Sequence, residues 1–246
     1  MVIGIGIIAI IWQKNLHKEK FLDMGFKINK RILYGLAIGI IYILVQYILI
    51  TWLPFQLGFT ALEINPNINS NMNLFFLTSQ TIIIHILLMF PLGLFGEELA
   101  WRGYILPKLE KATNKSKAII FNAVLFSLWH IPVYFSLYLG GAAVESLMLM
   151  LRLILIVIAV IPLNILYLNT RELYSVSLVH TLADIFDYYI FGDPGLGISS
   201  QKAIWYITVQ NQIMYQTIIM IAYIIGILLM ILLCRLGKKF WNNKKI

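Results

Sequence analysis

Charge is scarce in this sequence and cysteine is nearly absent. Only 12% of the 246 residues are Asp, Glu, Lys or Arg, about half the share of an ordinary soluble domain. With just 11 acidic residues, an elaborate acidic relay has little to be built from. The single cysteine, Cys234, excludes an internal disulfide, and no CxxC spacing offers a thiolate metal site. Neither GxSxG, HExxH nor GxxxxGK[ST] occurs, which removes the serine elbow, the zincin helix and the P-loop. Internal repeats, low-complexity tracts and long linkers are also missing, so residues 1–246 read as a single domain.

What the chain has in excess is apolar sequence. Sixty per cent of it is hydrophobic, in runs too long and too many for one soluble core. About 18 or more apolar residues are needed to cross a ~30 Å hydrocarbon layer as helix. Runs at roughly 32–54, 75–96, 118–138, 146–168, 173–191 and 213–234, with a shorter one at 2–13, predict an all-α polytopic membrane bundle of about seven transmembrane helices. The opening run lacks a basic segment before it and a cleavage pattern after it, so it is read as a membrane segment and not as a signal peptide.

The formal charge of +8 reports topology. Nearly all of the 19 basic residues lie in alternate connections: Lys14 to Arg31, Lys108 to Lys117, Arg171, and Arg235 to Lys245. Connections 55–74, 139–145 and 192–212 hold Glu63, Glu145, Asp193 and Lys202. The positive-inside rule then places the basic loops and the C-terminus in the cytoplasm and the N-terminus outside. No nucleic-acid partner is implied.

Ionisable residues inside the spans are few: His85, Glu97, Glu98, Arg102, His130, Arg152, His180, Asp184 and Asp187. Each costs several kcal/mol at membrane depth unless it is paired or lines a polar cavity. Helical rise from the nearest cytoplasmic charge puts Glu97, His130, His180 and Asp184 in one layer, roughly 12 to 20 Å from the inner surface. Glu98 and Arg102, four apart, form a charge pair. That leaves Glu97 as the candidate general base. His180 and Asp184, also four apart, face one cleft. These residues suit hydrolysis: Glu97 takes a proton from water, His130 holds that water, and His180 with Asp184 stabilises charge on a carbonyl. Glu97, His130 and His180 also match the two-His, one-Glu set of hydrolytic zinc sites, and the residues alone leave bare water and a metal both open. Among the rest, His85 reads as packing or a hydrogen-bonded spacer and His17 as solvated in a basic loop; Arg152, entering from the outer side, and Asp187, deep in the sixth span, are within reach of an interhelical pair, which is the less favoured reading of the two. Gly35 with Gly39 marks close helix packing and weakly suggests a dimer.

GEELAWRG (96–103), FSLWH (126–130) and HTLAD (180–184) resemble, in order, the EExxxR, FxxxH and HxxxN motifs of the CAAX-processing and bacteriocin-processing (CPBP, or Abi) intramembrane endopeptidases, related to the type II CAAX prenyl proteases. The resemblance runs over about 75–191. It implies a catalytic core there, with Glu97 as the catalytic glutamate, Glu98 and Arg102 supporting it, His130 holding water, and His180 with position 184 as the oxyanion site. It implies glutamate-activated water with no required cofactor. Asp184 stands where the family more usually has asparagine. An ionised Asp184 would repel an oxyanion, so it either donates as the acid or only orients His180. The expected activity is cleavage of a peptide or protein substrate near the cytoplasmic side of a membrane; the rival readings are a bacteriocin self-immunity or peptide-binding protein without turnover, and a small proton-relay transporter. The richness in Ile, Lys and Asn is that of an AT-rich bacterium, where prenylated substrates are not expected.

Overall fold

The computed structural model describes residues 2–68, 72–139, 146–192 and 203–243. Glu145, Asp193, Lys202, Lys244 and Lys245 lie outside them. Eight helices carry the described chain: α1 (Val2–Asn15), α2 (Arg31–Gln56), α3 (Leu74–Ala112), α4 (Lys115–Trp129), α5 (Ile131–Leu139), α6 (Ser146–Thr170), α7 (Tyr174–Ile185) and α8 (Gln212–Asn243). One antiparallel ribbon pairs β1 (Thr60–Ile64) with β2 (Trp205–Val209), in the register Thr60 to Val209. No strand was expected in either connection. The ribbon ties two loops together, and Asn65 Nδ2 adds a bond to the Ala203 carbonyl at 2.8 Å.

Five of the described helices are long and apolar enough to cross a membrane: Arg31–Gln56, Leu74–Ala112, Lys115–Ser136, Met150–Thr170 and Ile213–Lys239. The protein is thus an integral, multi-pass helical membrane protein. The first and sixth expected spans are shorter helices. α1 has 14 residues, about 21 Å of rise; α7 has 12, followed by a π turn at Phe186–Ile190. Within the expected span at 173–191, Val176, Val179 and Ile185 are at most 2% exposed, packed inside the bundle.

α2 and α7 approach closely through small residues. A Cβ on Gly35 would meet the Ser175 and Glu172 side chains, and one on Gly39 would meet Val179. The glycine pair therefore seats α7 within the same chain. Glu172, just before α7, accepts from the Ser175 amide at 3.0 Å and from the Ser175 hydroxyl, capping the first turn. Burial pushes its carboxyl above the usual range. The first 20 residues of α3 bury nothing, and Phe75, Leu87 and Leu88 are 81%, 70% and 62% exposed. In water such a face would be a liability; lipid is its solvent.

The basic loops gather at one end of the bundle. Lys108 and Lys111 both reach Glu19, at 2.8 and 3.1 Å, and Arg171 pairs with Glu110 at 2.7 Å. His17, expected to be solvated, shares a 3.0 Å hydrogen bond with the Tyr104 hydroxyl. The β ribbon stands at the opposite end, beside the start of α8.

Candidate active site

The site begins with a local departure from α geometry. Residues Leu94–Ile105, which hold the Glu97–Arg102 motif, form a π-helix inside α3. Its i→i+5 bonding widens each turn, a form seen mostly at functional sites. Pro91, just upstream, lacks the N–H that a regular α ladder would use. Glycines let the neighbours come close: a Cβ on Gly6 of α1 would strike the Phe95 carbonyl, and one on Gly103 would lie 2.8 Å from the Met24 carbonyl.

Glu98 and Arg102 are both fully buried and paired at 2.7 Å, as their spacing predicted. The same carboxylate oxygen, Oε1, also accepts from His180 Nδ1 at 2.6 Å. On its other side Arg102 donates through Nε to Asn164 Oδ1 at 3.2 Å, and its guanidinium lies 4.7 Å above the centre of the Phe126 ring. Asn164 Nδ2 in turn donates to the Ile119 carbonyl at 3.0 Å. A continuous polar chain, Asn164–Arg102–Glu98–His180, therefore crosses from α6 through α3 to α7 and is anchored on α4. Asn122 adds a bond from Nδ2 to the Trp101 carbonyl at 3.0 Å. Sequence reasoning missed Asn122 and Asn164 because it screened the spans for ionisable groups only. The available signal was simpler: each is an amide inside an apolar run, and each is 0% exposed.

His130 sits at the C-terminal end of α4 and donates from Nδ1 to the Phe126 carbonyl at 2.8 Å. A carbonyl only accepts, so Nδ1 carries the proton and Nε2 of the neutral ring keeps its lone pair. Phe126 also lies edge-on to His180, with ring centres 6.0 Å apart, so one aromatic separates and orients both imidazoles. His180 Nε2 faces Asp184 Oδ1 at 3.8 Å, beyond hydrogen-bond reach but within ion-pair range.

His130, His180 and Asp184 line one cavity of about 170 Å³, room for roughly five waters. Asp187, Arg152 and Tyr188 line it as well. Glu97 is partly exposed and is not on the cavity wall. It is nevertheless close enough to act electrostatically on His130, His180, Asp184 and Arg102. The structure thus brings the four expected residues into one neighbourhood and puts three of them on a shared wall. Among the described residues no group of three or more His, Cys, Asp or Glu is arranged to hold a metal ion.

The remaining ionisable residues have local roles. His85 Nδ1 donates to the Thr81 carbonyl at 2.8 Å and the ring packs on Tyr189, centres 3.7 Å apart. Asp187 Oδ1 accepts from the Tyr47 hydroxyl at 2.6 Å, while Arg152 Nε reaches the Tyr134 hydroxyl at 3.4 Å.

Lipid-facing helices thus surround a small chamber with imidazoles and carboxylates on part of its wall. Residues 79–186, somewhat under half of the chain, match the family described as type II CAAX prenyl endopeptidase Rce1-like. The matched stretch takes in the Glu97–Arg102, Phe126–His130 and His180–Asp184 motifs, and over that stretch the chain is similar to a type II CAAX prenyl endopeptidase. Neither a curated protein nor a solved structure matches the chain.

Proposed function

We propose that this protein is an intramembrane endopeptidase that hydrolyses a peptide bond with glutamate-activated water. The observation that carries this reading is the tethering of both imidazoles beside the chamber: His130 Nδ1 to the Phe126 carbonyl, and His180 Nδ1 to Glu98. Each ring is held by one nitrogen, which leaves Nε2 for chemistry. His130 Nε2 accepts a hydrogen bond from the water. Glu97 takes the other proton as the water oxygen adds to the carbonyl carbon, and the carbonyl π electrons move onto its oxygen. In the doubly protonated His180 ring, Nδ1 donates to Glu98 while Nε2 donates to that oxyanion. Collapse of the intermediate breaks the C–N bond, and Glu97 returns the proton to the leaving amine. Asp184, 3.8 Å from His180 Nε2, orients the ring.

The finer assignments belong to the same proposal. The bundle has seven membrane segments when α1 and α7 are counted with the five long helices. The basic end, which includes the C-terminus, is cytoplasmic by the positive-inside rule, and the host is a bacterium.

Glu97→Gln, His130→Ala and His180→Ala, tested against processing of a candidate peptide substrate and against the cellular phenotype, decide the matter. Loss of the general base is expected to slow processing about 10²–10⁴-fold. If processing occurs in the wild type and the cellular phenotype survives all three changes, the endopeptidase reading fails for that phenotype, and a peptide-binding or immunity role without turnover takes its place.

A further inference from the structure

Most of the cavity lies away from the basic loops; its nearest approach to them is at Leu163 of α6 and at Val179 and His180 of α7, about the middle of the bundle. α2 starts at its basic end with Arg31, yet its lining residues run from Tyr42 to Thr51. α4 starts at Lys115, and its line of cavity residues begins at Phe126 and continues through His130 into α5 at Tyr134. In α6 the lining runs from Arg152 to Leu163, ahead of Arg171 at the basic end. α8 contributes Tyr215, Ile219 and Tyr223, all well before Arg235. At the far rim stand Gly192 and Ile207, the latter on the β ribbon.

The basic half is filled. Met24, Leu106, Ala118, Leu166, Leu173 and Met230 are each 0% exposed there. His130 lies 15 residues into α4 from Lys115, about 22 Å of rise in a ~30 Å hydrocarbon layer. The catalytic imidazoles therefore sit at the floor of a chamber that continues away from the basic surface.

We propose, resting on the endopeptidase reading, that the substrate reaches this chamber from the non-cytoplasmic half of the membrane. This reverses the cytoplasmic-side cleavage expected from distances to the nearest charge. The substrate class it names is an exported or membrane-inserted peptide whose scissile segment lies on the outer side, not a cytoplasmic C-terminal tail. Outside the catalytic wall the lining is mainly aliphatic and aromatic, Ile50, Leu155, Ala159 and Ile219 among it, which suits the apolar side chains of an extended segment.

Cysteine accessibility tests this without any turnover, so its outcome is separate from that of Glu97→Gln. The native Cys234, 3% exposed, is first replaced by alanine. Ala159→Cys and Ile219→Cys then place single thiols on the cavity wall, on two different helices, and Lys117→Cys marks the basic end. Intact cells are treated with a charged, membrane-impermeant thiol reagent, before and after permeabilisation. The expected result is labelling of both cavity positions in intact cells, with Lys117→Cys labelled only after permeabilisation. Three results overturn the proposal: cavity thiols that label only after permeabilisation, cavity thiols that label under neither condition, or Lys117→Cys that labels from outside.

Discussion

Glu98→Gln isolates the energetics of the polar chain without changing its shape. The substitution removes a buried negative charge and leaves the Arg102 guanidinium, 0% exposed, without its counter-ion. Removing one partner of a buried pair costs about 3–5 kcal/mol. The lower end applies here, because Arg102 keeps the Asn164 carbonyl oxygen at 3.2 Å and the face of Phe126. About 3 kcal/mol is roughly a hundredfold in the folding equilibrium. Arg102→Met is expected to cost a similar amount, since Glu98 is then held by His180 alone. The double variant Glu98→Gln/Arg102→Met removes both charges of the pair together, and the amide oxygen introduced at position 98 can still accept from His180 Nδ1. Its remaining cost is the orphaned Asn164 oxygen, about 1–3 kcal/mol. The double variant should therefore be no less stable than either single one, with a coupling energy of at least about 2 kcal/mol. Denaturant titration of the purified protein in lipid micelles, read as midpoint shifts across the four-member cycle, measures it. Additive losses of about 6 kcal/mol in the double variant, twice the ~3 kcal/mol of each single change, would show that Glu98 and Arg102 act independently and would refute the charge-pair account.

How far the sequence could be read depended on the kind of signal. Lipid-facing helices were legible because a low-charge chain has nowhere else to put long apolar runs. The Glu98–Arg102 pair was legible because its partners are four residues apart, and local spacing survives even the change to π geometry. The His180–Glu98 bond was not, since it joins residues 82 apart and only the packing of α7 on α3 brings them within 2.6 Å. Asn164 was hidden for the same reason, with the added difficulty that an amide draws no attention in a screen for charge. Apolar character alone leaves 173–191, a 12-residue helix followed by a π turn, undivided between span and core. A helix buried on all sides by protein and one immersed in lipid select the same side chains, so hydropathy could not decide between them. The position of the cavity was out of reach altogether, because it is a property of several helices together and of none singly.

Asn164→Ala should destabilise the protein by about 1–3 kcal/mol, since it removes both the Arg102 acceptor and the bond to Ile119; Asn164→Asp, which keeps an acceptor for Arg102, should recover processing more than stability. A chelator added to purified, active enzyme is expected to leave processing unchanged, and loss of activity restored by a divalent ion would require a metal in the mechanism. Acid should loosen a contact on the basic side of the bundle. Hydrogen bonds from Lys108 and Lys111 pull the Glu19 carboxyl down to about 2, tying the loop after α1 to the helix that carries Glu97, Glu98 and Arg102. A lowered value means that the folded state binds this proton less tightly than the unfolded state does. The stabilisation is then complete above about pH 4.5 and drains away as pH falls towards 2. The Lys111 side chain is 69% exposed and that of Glu19 33%, so salt should weaken the effect. Unfolding midpoints followed from about pH 6 down to about pH 3 should converge for wild type and Glu19→Gln, because the variant has no such carboxylate to lose. Parallel curves would mean that the Glu19 cluster contributes nothing to holding α1 against the site.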